Sequence, residues 1–278
     1  MPTGAVQYAF TGASYDTAIG IVTGGEWGDD TAAKKVSGIG GMGVVIPGAQ
    51  VTNVSLDVVP VNNACLLDKI LRTSYPGGMP TGFPLSVGDD DAAHAGALWY
   101  IDTAEIDLSV DEALSVSYGI MYPGKPTATA NTATYAPPRT PLLWCEGAVT
   151  LDGADCDAES VKISINHGLM ARHSLNQKSD DSRRHPDGSD SGPEVIEVTL
   201  ECFEPGGFDL LGDDLPETDL VVTCASQGGT VTTWTFTLSN CKVVSAKSSL
   251  VGPDERRMWT LVLQHDDNVD ADVSSVLS

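Results

Sequence analysis

The chain has 278 residues, of which 41% are hydrophobic, so it can bury a core and is not a disordered polymer. Its 38 acidic residues outnumber 15 lysines and arginines, and the net charge of -23 excludes generic electrostatic binding of nucleic acid, which requires cations. No stretch reaches the roughly 18–20 apolar residues that span a membrane, and the N-terminus has no secretory signal. We therefore expect a soluble protein made in a cytoplasm, without a membrane partner.

The acidity has two possible explanations. One is a surface that must repel DNA, such as the wall of a conduit, and the other is life in high salt, where screening tolerates a large net charge. Aspartate outnumbers glutamate and lysines are few throughout the chain. This even distribution favours salt adaptation and a halophilic host.

The first half contains strands and one short helix. Residues 54–58 and 105–109 alternate apolar and polar side chains, which is typical of strands with one buried face. The asparagines at 62–63 can cap a helix over residues 64–72. Four aliphatic residues share one face of that helix: Leu66, Leu67, Ile70 and Leu71. The glycine-rich residues 38–43 mimic a dinucleotide-binding fingerprint only superficially, because a strand-like segment and not a helix follows them.

Residues 123–141 contain five prolines among small polar residues, a composition typical of an extended linker. We predict a first β domain over residues 1–122, this linker, and a second β domain over residues 142–278. The domain boundaries rest on composition and on the repeat described below.

The second half repeats the strand signals. Alternating segments occur at residues 161–166, 198–202, 234–238 and 259–261, and residues 208–211 form a weaker helical candidate. With 29 glycines and 16 prolines between many short strands, the sequence predicts an all-β fold with short helices. The predicted architecture is two tandem β-sandwich or barrel domains, each with one short helix.

A long polar segment covers residues 172–193, which is unusually long for a hairpin connection. We predict a projecting hairpin or loop that becomes ordered against a neighbouring subunit. The candidate contact residues are Arg172, Lys178, Asp180, Asp181, Arg183, Arg184 and His185. The Arg183–Arg184 pair meets an acidic patch on a neighbour or neutralises nearby aspartates, and both readings stay open.

The sequence contains an internal repeat. Residues 54–59, a four-residue gap and an apolar segment ending in Leu66–Leu67 match residues 198–203, the same gap and a segment ending in Leu210–Leu211. A strand led by tryptophan then recurs, at Trp99 and at Trp234. The linker falls between the two copies, which supports a duplication.

The order of these elements resembles the tail tube family of long-tailed phages, contractile-tail tubes and type VI secretion tubes. The closer likeness is in the second half, at residues 147–153, 161–169, 195–202 and 259–264. The resemblance covers most of the chain and indicates the duplicated form of the tube domain.

The resemblance implies a structural subunit whose inner sheet joins its neighbours into a ring. Single-domain members form rings of six, so a duplicated subunit implies a trimeric ring with pseudo-sixfold symmetry, although a hexamer stays possible. Stacked rings form the tail through which viral DNA is ejected. The implied partners are further copies of the chain, a tape-measure protein and tail terminator and initiator proteins, with assembly in the host cytoplasm.

Three carboxylates on predicted strands are candidates for the wall of the bore: Glu105, Asp107 and Glu201. Facing the lumen, they would repel the phosphate backbone and let DNA pass without sticking. The sequence does not choose which face of each strand they occupy.

Two other classes of protein stay open at this stage. One is another β-rich virion component, a baseplate ring or capsid decoration protein. The other is an extracellular tandem β-sandwich binding module, which should expose aromatic residues on loops. Only Trp27, beside Gly28, has that context, because Trp99, Trp234 and Trp259 lie in predicted strands and Trp144 begins one.

Nothing in the sequence indicates an enzyme, a metal site or a cofactor. There is no nucleophile elbow or phosphate-binding loop, and no cysteine pair has zinc spacing. Six scattered cysteines therefore suit buried strand positions: Cys65, Cys145, Cys156, Cys202, Cys224 and Cys241. His94 follows the acidic residues 89–91, but the run lacks the alternating ligands of a calcium loop.

Overall fold

A computed structural model describes the greater part of the chain. The described residues are 7–9, 20–31, 34–37, 43–46, 50–61, 66–72, 78–88, 93–129, 140–173, 186, 188–203, 217–227, 231–248, 257–265 and 273–278. Nearly all of them are in strands, which confirms the all-β fold predicted from the sequence.

In the first half the strands are β1 Gln7–Ala9, β2 Ile21–Thr31, β3 Lys34–Ser37, β4 Gly43–Ile46, β5 Gln50–Val59, β6 Phe83–Gly88, β7 Ala93–Ser109, β8 Ser115–Tyr122 and β9 Thr127–Thr129. In the second half they are β10 Leu142–Leu151, β11 Ala154–Asp155, β12 Ala158–Asn166, β13 Leu169–Arg172, β14 Gly188–Ser191, β15 Val195–Cys202, β16 Glu217–Ser226, β17 Thr233–Ser248, β18 Trp259–Gln264 and β19 Val273–Leu277.

The alternation in the sequence becomes one buried and one solvated face of each strand. In β5, Val54, Leu56 and Val58 are at most 2% exposed, whereas Ser55 and Asp57 between them are exposed. The same pattern holds in β12 and β15. The buried residues of both halves form a single hydrophobic cluster, so the two halves share one continuous core.

One large antiparallel sheet contains strands of both halves. Its main path runs β11-β10-β16-β17-β18-β15-β12-β7-β8-β5-β2. The two halves meet where β12 pairs with β7 on one edge and with β15 on the other. We call the β12–β7 pairing the internal joint.

The strand order is the same in the two halves. The path β2-β5-β8-β7-β6-β1 corresponds to β12-β15-β18-β17-β16-β10, and β9 and β19 add to β7 and β17 in the same way. The small hairpins β3–β4 and β13–β14 follow β2 and β12 respectively. The strands thus repeat in the order that the sequence repeat suggests, and Trp99 and Trp234 lie on the equivalent strands β7 and β17. The cross-strand pairs nevertheless equate Trp99 with Cys241 and not with Trp234.

Register irregularities fall at matching places in the two halves. β2 and β12 each shift register near their start, and β7 and β17 each shift in mid-strand. The shifts lie between Val22 and Gly24, Ala158 and Ser160, Ile101 and Thr103, and Val243 and Ser245. Such matching bulges mark equivalent positions of the repeat.

The predicted helix over residues 64–72 is wrong in type and length. The described part of this segment has only a three-residue 3-10 turn, Leu67–Lys69. Leu66, the residue before it, makes no side-chain hydrogen bond that caps the turn. Its apolar face was predicted correctly, since Leu66, Leu67 and Ile70 are fully buried. Packing fixes these side chains without the further turns that an α-helix needs. The second helical candidate, residues 208–211, lies outside the described residues.

Two other local predictions differ from the structure. Part of the predicted linker is strand β9, which pairs with β7, and Pro141 at its end bridges to Val61. Residues 130–139 lie outside the described part of the chain. Trp27 lies within β2 and not in a loop.

Candidate functional surface on the continuous sheet

The solvated face of the sheet from β2 to β17 is strongly polar. We call it the polar face. Its described charged side chains include Glu26, Asp57, Glu105, Asp107, Glu197, Glu201, Lys162, Lys242 and Lys247. Carboxylates outnumber ammonium groups on this face, in keeping with the acidity of the chain.

The three carboxylates predicted for a bore wall lie on this one face. Asp107 is opposite Lys162 across the internal joint, and Glu105 is opposite Ser164. Glu201 is opposite Ser160 on the neighbouring pair of strands. Glu105, Asp107 and Glu201 therefore share a surface, although β7 and β15 come from different halves.

Short polar contacts organise this face. Lys162 Nζ lies 3.0 Å from Glu105 Oε2, and the hydrogen bond and charge of that carboxylate raise the pKa of Lys162 above its ordinary value. Both side chains are more than half exposed, so the pair contributes at most about 1 kcal/mol. Ser160 donates to Glu201 at 3.0 Å, and Ser117 donates to Asp57 at 2.6 Å.

The internal joint has an apolar side and a polar side. Its register places Ile163 opposite Ile106 and Lys162 opposite Asp107. Ile163 and Ile106 are 1% exposed, so backbone pairing is combined with burial of apolar side chains. This pairing fastens the second half to the first.

A buried charged cluster lies beside the joint, where β12 ends. His167 Nδ1 is 2.8 Å from Glu194 Oε1, and its Nε2 donates to the carbonyl of Ile70 at 2.8 Å. Arg72 Nη2 donates to the carbonyls of His167 at 2.9 Å and Gly192 at 2.5 Å, while its Nε is 3.9 Å from the Glu194 carboxylate. Arg72 and Glu194 thus bring opposite charges together out of water.

This cluster connects the base of the β13–β14 hairpin to the first half. Arg72 follows the 3-10 turn of the first half, whereas His167 and Glu194 border the hairpin in the second. A buried ion pair is sensitive to loss of one partner, because the other charge then stays buried without compensation. No local pattern in the sequence indicates this cluster, because residues 72, 167 and 194 are far apart in the chain.

The long polar segment is only partly described. Arg172 ends β13, and its Nη1 lies 3.3 Å from Asp190 Oδ1 of β14. At the described ends of the segment, β13 pairs antiparallel with β14. The other candidates lie outside the described residues: Lys178, Asp180, Asp181, Arg183, Arg184 and His185.

Within the described residues, no group of three or more His, Cys, Asp or Glu side chains could hold a metal ion. No helix in the same part of the chain is long and apolar enough to cross a membrane. The structure also places Lys162 and Asp57 on the polar face, although the sequence had not singled them out. Both occupy solvated positions of predicted alternating strands, so the alternation could have indicated them.

The fold and this surface define an all-β protein built on one continuous antiparallel sheet with a charged solvated face. The family model described as phage tail tube protein matches residues 2–201, more than half of the chain. The chain belongs to this family: it is a structural protein of the virion tail that self-assembles into the tail tube. The match includes residues 2–122 of the first half, where the sequence had suggested the looser likeness, and continues into the second half. No curated protein matches the chain.

Proposed function

We propose that this chain closes into rings that stack into the tail tube, and that viral DNA is ejected through the bore. Each chain supplies two tandem tube domains, residues 1–122 and 142–278, which occupy equivalent places in the ring. Three chains then give a ring with pseudo-sixfold symmetry. The observation that carries this proposal is the matching strand order of the two halves within one continuous sheet.

In this arrangement the polar face lines the bore. Glu105, Asp107 and Glu201 share that face, and its excess of carboxylates repels the phosphate backbone. A wall that does not attract DNA is useful in a conduit, since DNA bound to the wall would not slide. The opposite face packs into the apolar core over most of the sheet.

Stacking requires contacts between rings, and the segment over residues 172–193 is our candidate. Its described base is the β13–β14 hairpin, held by the Arg72–His167–Glu194 cluster. A fixed base lets the rest of the segment reach a neighbouring ring from a defined position. A tape-measure protein and tail terminator and initiator proteins would set the length and ends of the tube, with assembly in the host cytoplasm.

Electron microscopy of the purified protein in low and high salt tests the ring and the tube. We expect hollow tubes built of rings with three chains and six similar lobes. Monomers alone under all conditions, also with a tail initiator added, would contradict the proposal and favour a baseplate ring or decoration protein.

A charge reversal tests the bore. We expect tubes of the triple variant Glu105→Lys, Asp107→Lys and Glu201→Lys to retain added double-stranded DNA in a salt-dependent way. Wild-type tubes, and tubes that carry Glu112→Lys in an exposed turn, should not retain it. Equal retention by all three would place the polar face outside the bore.

A further inference from the structure

Among the described strands, the two edges that correspond to the internal joint in the other copies of the repeat have no partner. β2 pairs only with β5, and the last residues of β17, after β16 ends, pair only with β18. Their equivalents in the other half, β12 and β7, are paired with each other at the internal joint. The repeat therefore forms this joint once within the chain, between β12 and β7. The equivalent edges of β2 and β17 are not paired with each other in the same chain.

We infer that β2 of one copy pairs antiparallel with the end of β17 of a second copy, in the register of the internal joint, with Gly28 opposite Lys247 and an ion pair between Glu26 and Lys247. This inference rests on the proposed ring and defines its contact between chains.

The register follows from the cross-strand pairs of the described strands. Trp27 is opposite Val54 in β5, and Ile163 is opposite the equivalent residue Val198 in β15. Trp27 thus corresponds to Ile163, and Gly28 and Glu26 correspond to Ser164 and Lys162.

The same reasoning applies to β7 and β17. Through β8 and β18, Ile101 aligns with Val54 and Val243 aligns with Val198. Each of these strands then has a bulge of one residue, so Glu105 corresponds to Lys247. Because Ser164 is opposite Glu105 in the internal joint, Gly28 is opposite Lys247 in the inferred one.

The charges at equivalent positions are exchanged and yet complementary. The internal joint carries Lys162 on β12 and Glu105 on β7, 3.0 Å apart. The inferred joint has Glu26 on β2 and Lys247 on β17, both exposed on the polar face. Neither forms an ion pair with another described residue. A diagonal pair of opposite charges across two strands is favourable, whereas two charges of the same sign at these positions would be unfavourable.

Exposure of an aromatic residue also indicates a missing neighbour. Ile163 is 1% exposed, because Ile106 of β7 covers it from the open side of β12. Its equivalent Trp27 is 42% exposed at the edge of β2. A second copy whose β17 lies along β2 covers Trp27 in the same way and removes both unpaired edges.

Cysteine crosslinking tests the register. In a background of Cys65→Ser and Cys145→Ser, Gly28→Cys with Lys247→Cys should give covalent oligomers on mild oxidation of assembled protein. Gly28 accepts the side chain, because a Cβ there meets nothing within 4 Å. The matched control pairs Gly28→Cys with Lys242→Cys, on the same strand and face but five positions away. It should crosslink at least about tenfold less, because each residue adds about 3.3 Å along a strand.

A charge-exchange series tests the ion pair. Glu26→Lys and Lys247→Glu should each weaken assembly, about two- to fivefold in the dissociation constant of each contact. The double variant, which restores opposite charges, should recover the wild-type value. Glu112→Lys makes the same change of net charge as Glu26→Lys, in an exposed turn outside β2 and β17, and should behave like wild type.

The outcomes separate this inference from the proposed ring. Rings that form in the wild type, crosslink no better at 28/247 than at 28/242, and tolerate both single charge reversals would overturn the inferred joint and leave the ring standing. Absence of rings in the wild type would overturn both. Crosslinking at 28/247 with rescue in the double charge variant supports the joint as stated.

Discussion

At the scale of single residues, the structure distinguishes two arginines that look alike in sequence. Arg72 is buried with Glu194 and donates to two backbone carbonyls, whereas Arg172 makes an ion pair with Asp190 in which both side chains are more than half exposed. The energetic weight of an ion pair depends on solvent, because water screens exposed charges and leaves buried ones dependent on their partners.

We expect Arg72→Met to lower the free energy of unfolding by about 3–5 kcal/mol, because the buried Glu194 carboxylate loses the guanidinium charge and two buried carbonyls lose their donor. Urea denaturation of unassembled protein measures the change. Arg172→Met is the matched control and should change the value by less than about 1 kcal/mol. Equal effects of the two substitutions would show that the buried cluster has no special role.

The cysteines also differ in their exposure to solvent. Cys145 is exposed, whereas burial raises the pKa of Cys224 and of Cys241 to about 12. The thiolate is the nucleophile that attacks a thiol reagent such as iodoacetamide, so a raised pKa and burial both protect these two sites near neutral pH. We expect iodoacetamide at pH 8 to modify Cys145 in the native protein, and Cys224 and Cys241 only after unfolding, as measured by peptide mass spectrometry. Modification of all three at the same rate in native protein would contradict this.

At the scale of elements, β12 is the strand on which the two halves depend. It is paired along both edges, with β15 and with β7, and its side chains alternate between core and polar face. The sequence predicted this strand from its alternation. It did not indicate that β7 is the second partner, because pairing between distant strands leaves no local signal.

Neighbouring positions of β12 should respond very differently to truncation. Ile163→Ala should lower the free energy of unfolding by about 2–5 kcal/mol, because it leaves a cavity in the shared core. Lys162→Ala removes only an exposed ion pair and should change it by less than about 1 kcal/mol. Chemical denaturation of both variants measures the difference, and similar losses would place Ile163 outside the core.

At the scale of the whole molecule, a net charge of -23 repels itself, both within the subunit and between neighbours. The described ion pairs neutralise only a few of these charges. Salt relieves the repulsion by screening, and the carboxylates of the polar face would be brought together in a ring. We propose that the acidity of the chain suits both a host cytoplasm of high salt concentration and the passage of DNA.

We expect the melting temperature and the fraction of assembled protein to rise when sodium chloride increases from about 0.1 M to about 1 M. The Debye length falls from about 10 Å to about 3 Å over this range, so repulsion between surface carboxylates is largely removed. Calorimetry and sedimentation measure the two effects. A melting temperature that is independent of salt would show that self-repulsion does not limit stability.

The sequence by itself indicated many of the strands, their alternation between an apolar and a polar face, the repeat and the resemblance to tail tubes. These follow from local alternation and from matching segments such as residues 54–59 and 198–203, which need no knowledge of distant contacts. It did not determine that residues 64–72 contain only a 3-10 turn, because packing of Leu66, Leu67 and Ile70 overrides a weak helical preference.

Only the tertiary structure decided which strands pair, and hence where the functional surface lies. Glu105 and Glu201 come onto one face because β12 stands between β7 and β15, a relation between segments far apart in the chain. The buried Arg72–His167–Glu194 cluster arises in the same way. Local sequence fixes which side chains a strand buries, but its partner strand is chosen by the burial and hydrogen bonding of the whole sheet.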